Sequence, residues 1–318
     1  HVYKETKLKN LCLAGGVALN CVANGRVLRE GPFETIWIQP AAGDAGGALG
    51  AALSVWHRYL NEDRKIPDEQ DSQKGSYLGP AFSNEEVKSF LEKNQYPYHL
   101  LHKDTRAHSI AKQIAFGKIL GYMAGRMEFG PRSLGARSIL GDPRSQETQS
   151  IMNLKIKYRE SFRPFAPSVI REKVSEYFDT DEQSPYMLIV AKVKKERCFS
   201  QPSFNGLGIL ERLNFKRSDI PAVTHLDYSA RVQTVSQKDK PDYYSIISEF
   251  EKLTGYAVLV NSSFNVRGEP IVCTPEDTYK CFMRTKIDVL VMEDCILYKE
   301  EQPPWEEAEE WKNDFILD

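Results

Sequence analysis

The 318-residue chain contains no apolar run approaching the roughly 20 residues that a membrane-spanning helix needs. Its first residues, His-Val-Tyr-Lys-Glu-Thr-Lys, are not a secretory leader. Net charge is nearly absent: 42 Lys and Arg against 44 Asp and Glu leave −2. That balance excludes a global pull toward nucleic acid or an anionic membrane, so any anion site has to come from local clustering. No C-x-x-C pair occurs among Cys12, Cys21, Cys198, Cys273, Cys281 and Cys295. Their scatter argues against a disulfide framework and for reduced core thiols in a cytoplasmic protein. No histidine stands at zinc-type spacing from a cysteine or another histidine, and no Ser-His-Asp or Cys-His triad can be read. Internal repeats and low-complexity segments are missing too.

What is present begins with α/β punctuation. Leu11–Ala14 reads as a buried strand, followed by Gly15-Gly16 and a helix to about Arg29. Thr35–Ile38 reads as a second strand, followed by Gly43-Asp44-Ala45-Gly46-Gly47 and a helix ending near Leu60. Two strands and two helices cannot bury both faces of a parallel sheet. Residues 1–60 are therefore expected to close a larger domain, with polar Asn61–Lys74 as a linker. From Gly75 the pattern is α+β. Helices are predicted over Asn84–Lys93, Thr105–Phe116, Gln146–Leu154, Asp242–Thr254 and Pro275–Arg284. Strands are predicted over Lys118–Tyr122, Met187–Val193, Ala230–Val235, Ala257–Val260, Val289–Met292 and Ile296–Tyr298. The irregular order predicts a mixed sheet with helices on it. Glu306–Asp314 reads as an acidic, solvated tail.

The chemistry concentrates in a few stretches. Gly125–Leu140 alternates Arg126, Arg132 and Arg137 with glycines and small residues. Glycines let a phosphate approach the backbone, and guanidinium forks grip its oxygens. A surface loop with solvated arginines has the same composition. Lys155, Lys157, Arg159 and Arg163 follow among aromatics and prolines, making eight cations between Arg126 and Arg163 when Arg144 is counted. Arg163 between Phe162 and Pro164 sits in a rigid apolar frame, which a solvated face does not need. Such a cluster in a net acidic chain predicts a polyanion site for a triphosphate or acyl phosphate. Arg231 and Gln233 share one face of a strand downstream of His225. Asn261, Ser263 and Asn265 follow the strand Ala257–Val260, where α/β proteins place ligand-binding turns; an ordinary Asx-rich turn looks alike. Near the start, Gly15 and Gly16 stand between strand and helix, where backbone N–H groups can hold a phosphate. Asp44 reads as a helix N-cap or a metal ligand, with the cap favoured by spacing.

Taken together, G-G-V-A-L-N at Gly15–Asn20, G-D-A-G-G-A at Gly43–Ala48, the run Gly125–Leu140, F-R-P-F-A-P at Phe162–Pro167, A-R-V-Q-T-V at Ala230–Val235 and N-S-S-F-N at Asn261–Asn265 resemble the carbamoyltransferase family of nodulation-factor and antibiotic-tailoring enzymes. Two departures stand out. The family's His-x-Asp-Gly-Thr is His225-Leu226-Asp227-Tyr228-Ser229 here, and an Asn common before the third arginine of the glycine-rich run is Ala136.

The resemblance implies the C-terminal part of an actin-like ATPase-fold (ASKHA) domain over 1–74, followed by a YrdC-like α+β domain with a mixed twisted sheet over 75–318. It implies that ATP, with Mg2+, and carbamoyl phosphate form a carbamoyl adenylate, whose carbamoyl group then passes to a hydroxyl of a small-molecule acceptor such as a sugar or antibiotic. Arg126, Arg163 and Arg231 are the expected catalytic cations. Asn20, Arg132, Arg137, Lys155, Lys157, Arg159, His225, Gln233, Asn261, Ser263 and Asn265 are expected to bind substrate or nucleotide, with Gly15 and Gly16. The transfer step would use Fe2+ held by two histidines and the aspartate matching Asp44; the histidine motif is not in this chain. No nucleic-acid or membrane partner is expected, and a homodimer is allowed. A threonylcarbamoyl-adenylate synthase for tRNA modification and a non-enzymatic nucleotide-binding module are the alternatives.

Overall fold

The computed structural model describes residues 1–65, 71–200, 206 and 208–305. Part of the expected linker and the acidic tail Glu306–Asp314 lie outside them. The described elements are, in chain order, α1 (Val2–Thr6), β1 (Asn10–Leu13), α2 (Cys21–Glu30), β2 (Thr35–Ile38), α3 (Ala45–Ser54), α4 (Asn84–Lys93), β3 (His99–Leu100), α5 (Arg106–Ala115), β4 (Leu120–Met123), β5 (Arg137–Gly141), α6 (Gln146–Lys155), β6 (Ala166–Ile170), α7 (Val174–Tyr177), β7 (Ile189–Lys192), α8 (Ile209–Leu213), β8 (Ser229–Val235), α9 (Pro241–Thr254), β9 (Val258–Ser263), α10 (Pro275–Arg284), β10 (Val289–Met292) and β11 (Cys295–Tyr298). This is a mixed α/β fold.

Nine strands form one sheet in the order β3-β11-β10-β4-β5-β9-β6-β8-β7. The pairs β10·β4 and β6·β8 are parallel and the remaining neighbours antiparallel. The central strands are buried along their length, as strands covered on both faces must be. Helices α5 and α9 pack against each other, and α9 also packs on β6 and β9. The helices begin where capping chemistry puts them. Ser83 and Thr274 each close a capping box, and Pro241 and Pro275 open their helices at the first position.

Two central strands, β5 and β6, lie where the sequence reads as basic loops. Arg137 opens β5 and Pro167 stands second in β6, and both residues suppress a strand reading. The register resolves the proline. Pro167 pairs with Val260 on β9, while pairing to β8 starts one residue later at Ser168. The expected helix after Gly16 starts later than predicted, because Gly16–Leu19 forms a 3-10 turn first. Asn20 then caps α2 by accepting from the Ala23 N–H at 3.1 Å.

The amino-terminal pair β1 and β2 is parallel and separate from the large sheet. It joins the rest through α2, which packs on β7. Buried Asn24 donates to the carbonyls of Ala18 and Leu188 at 2.8 and 3.0 Å. Gly25 sits so close to β7 that a Cβ there would meet the Val190 carbonyl oxygen at 2.4 Å. Ala18, Cys21, Ile38 and Ala42 share a small apolar cluster with Leu188, Ile189 and Val190. Helix α3 buries none of its residues. The cysteines are all free; Cys21, Cys281 and Cys295 are buried, whereas Cys12 is exposed rather than a core thiol.

Candidate functional site

A cleft of about 630 Å³ opens where α2 meets the ends of β6, β8 and β9. Its shape depends on the glycine-rich run ahead of β5. Buried Glu128 accepts from the backbone N–H groups of Leu134 and Ala136 at 2.6 and 2.7 Å, pinning the loop that carries Arg132. Gly135 is held at φ +99°, and a Cβ there would meet the Tyr243 ring at 2.3 Å. Only glycine fits.

Six cations line the cleft, Arg132, Lys157, Arg159, Arg163, Arg231 and Arg267, with His225 and no carboxylate. Lys157 is buried, and its ammonium donates to the carbonyls of Ser263 and Asn265 at 2.5 and 2.7 Å. It also reaches the Ser263 hydroxyl at 3.2 Å and the Asn265 side-chain oxygen at 2.7 Å. These oxygens favour the charged form; burial wins and pushes its pKa down to about 7. Burial, reinforced by neighbouring Arg163, lowers Arg159 to about 10, and burial with Arg132 close by lowers Arg231 to about 10. Both arginines stay charged at pH 7. The Arg159 guanidinium lies 4.9 Å from the Phe165 ring centroid and donates to Asn153 Oδ1 at 2.7 Å. The Nε atoms of Arg132 and Arg231 are buried without a hydrogen-bond partner. Arg163 is half-exposed and pairs with Glu160 at 3.0 Å, so the open donors of the cleft are those of Arg132 and Arg231, two crowded cations suited to an anion.

Beneath the cleft runs a satisfied polar network. Asn261 donates to Gln233 Oε1 at 2.8 Å and to the Ser133 carbonyl at 3.2 Å, while Gln233 donates to the Leu134 carbonyl at 2.9 Å. Asn261 lines the cleft; Gln233 does not, and holds its floor. His225 lines the cleft with its pKa lowered chiefly by burial. In the departing motif, Tyr228 takes φ +62°, a left-handed position that suits the glycine of the family pattern.

Of the residues singled out in the sequence, the cleft gathers Asn20, Arg132, Lys157, Arg159, Arg163, His225, Arg231, Asn261, Ser263 and Asn265. It does not gather Arg126, which is exposed and donates to the Gly79 carbonyl at 2.9 Å. Arg137 is fully buried, its guanidinium spent on the carbonyls of Gly125, Ala136, Cys273 and Pro80 at 3.0–3.3 Å. Lys155 lies in a separate hollow beside Lys286 and Lys299. Gly15 caps the 3-10 turn that Gly16 opens, and both lie outside the lining. Asp44 occupies the N-cap position of α3, but its side chain makes no capping bond. Among the described residues no three His, Cys, Asp or Glu side chains converge on a metal-sized site. Cys21 and Arg267, on the cleft wall, were not singled out. Arg267 follows the Asn261–Asn265 run closely enough to have been found there; nothing in the sequence marks Cys21.

Fold and site together meet a known pattern. The family described as Carbamoyltransferase C-terminus matches residues 111–299, and the one described as Carbamoyltransferase N-terminus matches residues 1–53. The chain belongs to the carbamoyltransferase family. It is 58% identical to an uncharacterised protein of Synechocystis sp., across 100% of this chain and 52% of that protein. It is 42% identical to the nodulation protein NolO of Bradyrhizobium diazoefficiens, across 92% of this chain and 50% of that protein. Nodulation protein U of Rhizobium tropici is 33% identical across 82% of this chain and 39% of its own length. The chain thus spans about half the length, or less, of these relatives. No helix among the described residues is long and apolar enough to cross a membrane.

Proposed function

We propose that the cleft binds ATP, as its magnesium complex, together with carbamoyl phosphate, and forms a carbamoyl adenylate for transfer to a small-molecule hydroxyl. The carrying observation is the gathering of six cations along one cleft, two of them with buried unpartnered Nε–H groups. Water cleaves carbamoyl phosphate to carbamate and inorganic phosphate; a carbamate oxygen then bonds to the α-phosphorus of ATP as the α–β phosphoanhydride bond breaks and pyrophosphate leaves. The chain's part is electrostatic: Arg132, Arg163 and Arg231 stabilise charge that develops on the phosphoryl oxygens. Lys157 fixes the Ser263–Asn265 turn that would hold the base or the carbamoyl amide. A half-enclosed, cationic cleft also limits hydrolysis of an unstable carbamate.

This reading assigns residues 75–318 to a YrdC-like adenylate-forming module and 1–74 to part of an actin-like transfer module. Iron finds no complete site among the residues described here: no three His, Cys, Asp or Glu side chains converge, and one carboxylate, Asp44, cannot offset the lost hydration of a divalent ion. No step is routed through it. The test is pyrophosphate release from ATP with carbamoyl phosphate, beside threonine plus bicarbonate, with products identified by mass spectrometry. Release that depends on carbamoyl phosphate and yields carbamoyl adenylate supports the proposal. Release with threonine and bicarbonate alone, or none with either, refutes it.

A further inference from the structure

The anion cleft is built mainly from the large sheet, yet one wall comes from the amino-terminal region. Cys21, the first residue of α2, is 7% exposed and lines the cleft. Its sulfur accepts from Arg132 Nη2 at 3.7 Å, and the Leu19 carbonyl accepts from the same nitrogen at 3.5 Å. Arg231, on β8, lines the same cleft, and its charge is felt both by Arg132 and by this sulfur. The thiol donates in turn to the carbonyls of Leu19 and Met187 at 3.3 and 3.7 Å. Two guanidinium groups that repel each other therefore flank one sulfur. Each keeps a buried Nε–H with no partner.

We propose that Cys21 is a positioning residue of the anion site, holding Arg132 and Arg231 side by side without neutralising them. The chemistry of the atom explains the choice. A carboxylate at this place would pair with both arginines and compete with the incoming anion. A methyl group would leave Arg132 only the Leu19 carbonyl and put no acceptor in the sulfur's place between the two charges. Sulfur is a weak acceptor: strong enough to orient the donors, weak enough to release them to a phosphate oxygen. The consequence is a site that residues 75–318 cannot complete alone, because its arginines take their spread from α2.

The inference rests on the anion-binding reading of the cleft, and its test is kept apart from turnover. Inorganic pyrophosphate is titrated calorimetrically into the full chain and its Cys21→Ser, Cys21→Ala and Cys21→Asp variants, with each melting temperature recorded. Cys21→Ala should weaken binding by about 3- to 10-fold, the scale of one modest hydrogen-bonding centre, and Cys21→Ser should recover part of that loss. Cys21→Asp should lose about 100-fold, since its carboxylate occupies the arginines, while melting no lower than Cys21→Ala. That split between binding and stability is what a merely structural role would not produce. Variants that all bind within twofold of the parent overturn the role of Cys21 alone. Loss of binding in Cys21→Asp only alongside a deeper fall in melting temperature overturns it too. A parent that binds pyrophosphate but forms no adenylate removes the proposed reaction and leaves this inference standing. A parent with no pyrophosphate affinity removes both.

Discussion

The first 60 residues and the nine-stranded region are both rich in apolar side chains, but only the second buries them in quantity. Strands β4, β5 and β6 carry no exposed residue, and one continuous core runs from Val87 to Leu297. In the amino-terminal region the buried cluster numbers a handful of residues, three of them lent by Leu188–Val190. Trp37, Leu53, Trp56 and Tyr59 are between 43% and 80% exposed there. The comparison separates two jobs: the large sheet supplies stability and most of the cations, and the amino-terminal layer supplies a wall of the cleft through α2.

The largest effect that could break this comparison is in the core. Phe264, fully buried, should cost about 3–5 kcal/mol of unfolding free energy as Phe264→Ala, whereas exposed Leu53→Ala in α3 should change it by about 0.5 kcal/mol or less. Urea denaturation of both variants checks this, and equal costs would erase the contrast. Next comes the cleft. Arg231→Ala should cut carbamoyl-phosphate-dependent pyrophosphate release about 100-fold, and Arg126→Ala, whose guanidinium is bound to Gly79 away from the cleft, should leave it within a few fold. Steady-state assays decide. If Arg126 mattered as much, the cleft would be drawn in the wrong place.

A subtler difference concerns protons. Lys157 titrates near 7 in the folded chain against an ordinary 10.5. Between those values the unfolded chain binds more protons, so this lysine makes stability rise with pH across that window; below about 7 its full cost is present. Urea midpoints at pH 6, 7, 8 and 9 should show the rise, and Lys157→Met should flatten it. Binding an anion restores the charge, so pyrophosphate binding at pH 8 should take up about one proton at most, read from calorimetry in buffers of different ionisation enthalpy. The smallest effect is at Tyr228. A left-handed conformation costs a non-glycine residue about 1–2 kcal/mol, while glycine costs some of that back through unfolded-state entropy. Tyr228→Gly should therefore stabilise by roughly 0.5 kcal/mol; a clear loss would show that its 3.5 Å contact with the Phe199 carbonyl outweighs the strain.

Much of the site was legible because its residues come in dense local runs. The cations of Arg132–Arg163 and the amides of Asn261–Asn265 announce themselves by composition, and the helices by their caps and spacing. What composition does not contain is direction. Lys155 and Lys157 are two residues apart, but one ends α6 facing an outer hollow and the other turns into the cleft. Arg137 belongs to the most conspicuous basic run and is entirely consumed by four carbonyls. Strands β5 and β6 hid behind an arginine and a proline; β5 has nearby β4 on one side, but its other neighbour β9 and both neighbours of β6, β8 and β9, lie more than sixty residues away. Asp44 sits at the cap that spacing predicted without making the bond that would give it that role.

The strand order also sets a timetable for synthesis. β4 and β5 pair with each other, but their outer edges wait for β10 and β9, which come only after most of the described chain has been made. At about 5–20 residues per second on a ribosome, β4 and β5 would wait many seconds with open edges. Long-range pairing of this kind folds slowly and is exposed to aggregation meanwhile. The order of the strands thus leaves the newborn chain with two open sheet edges for as long as β9 and β10 are missing, whatever its final stability.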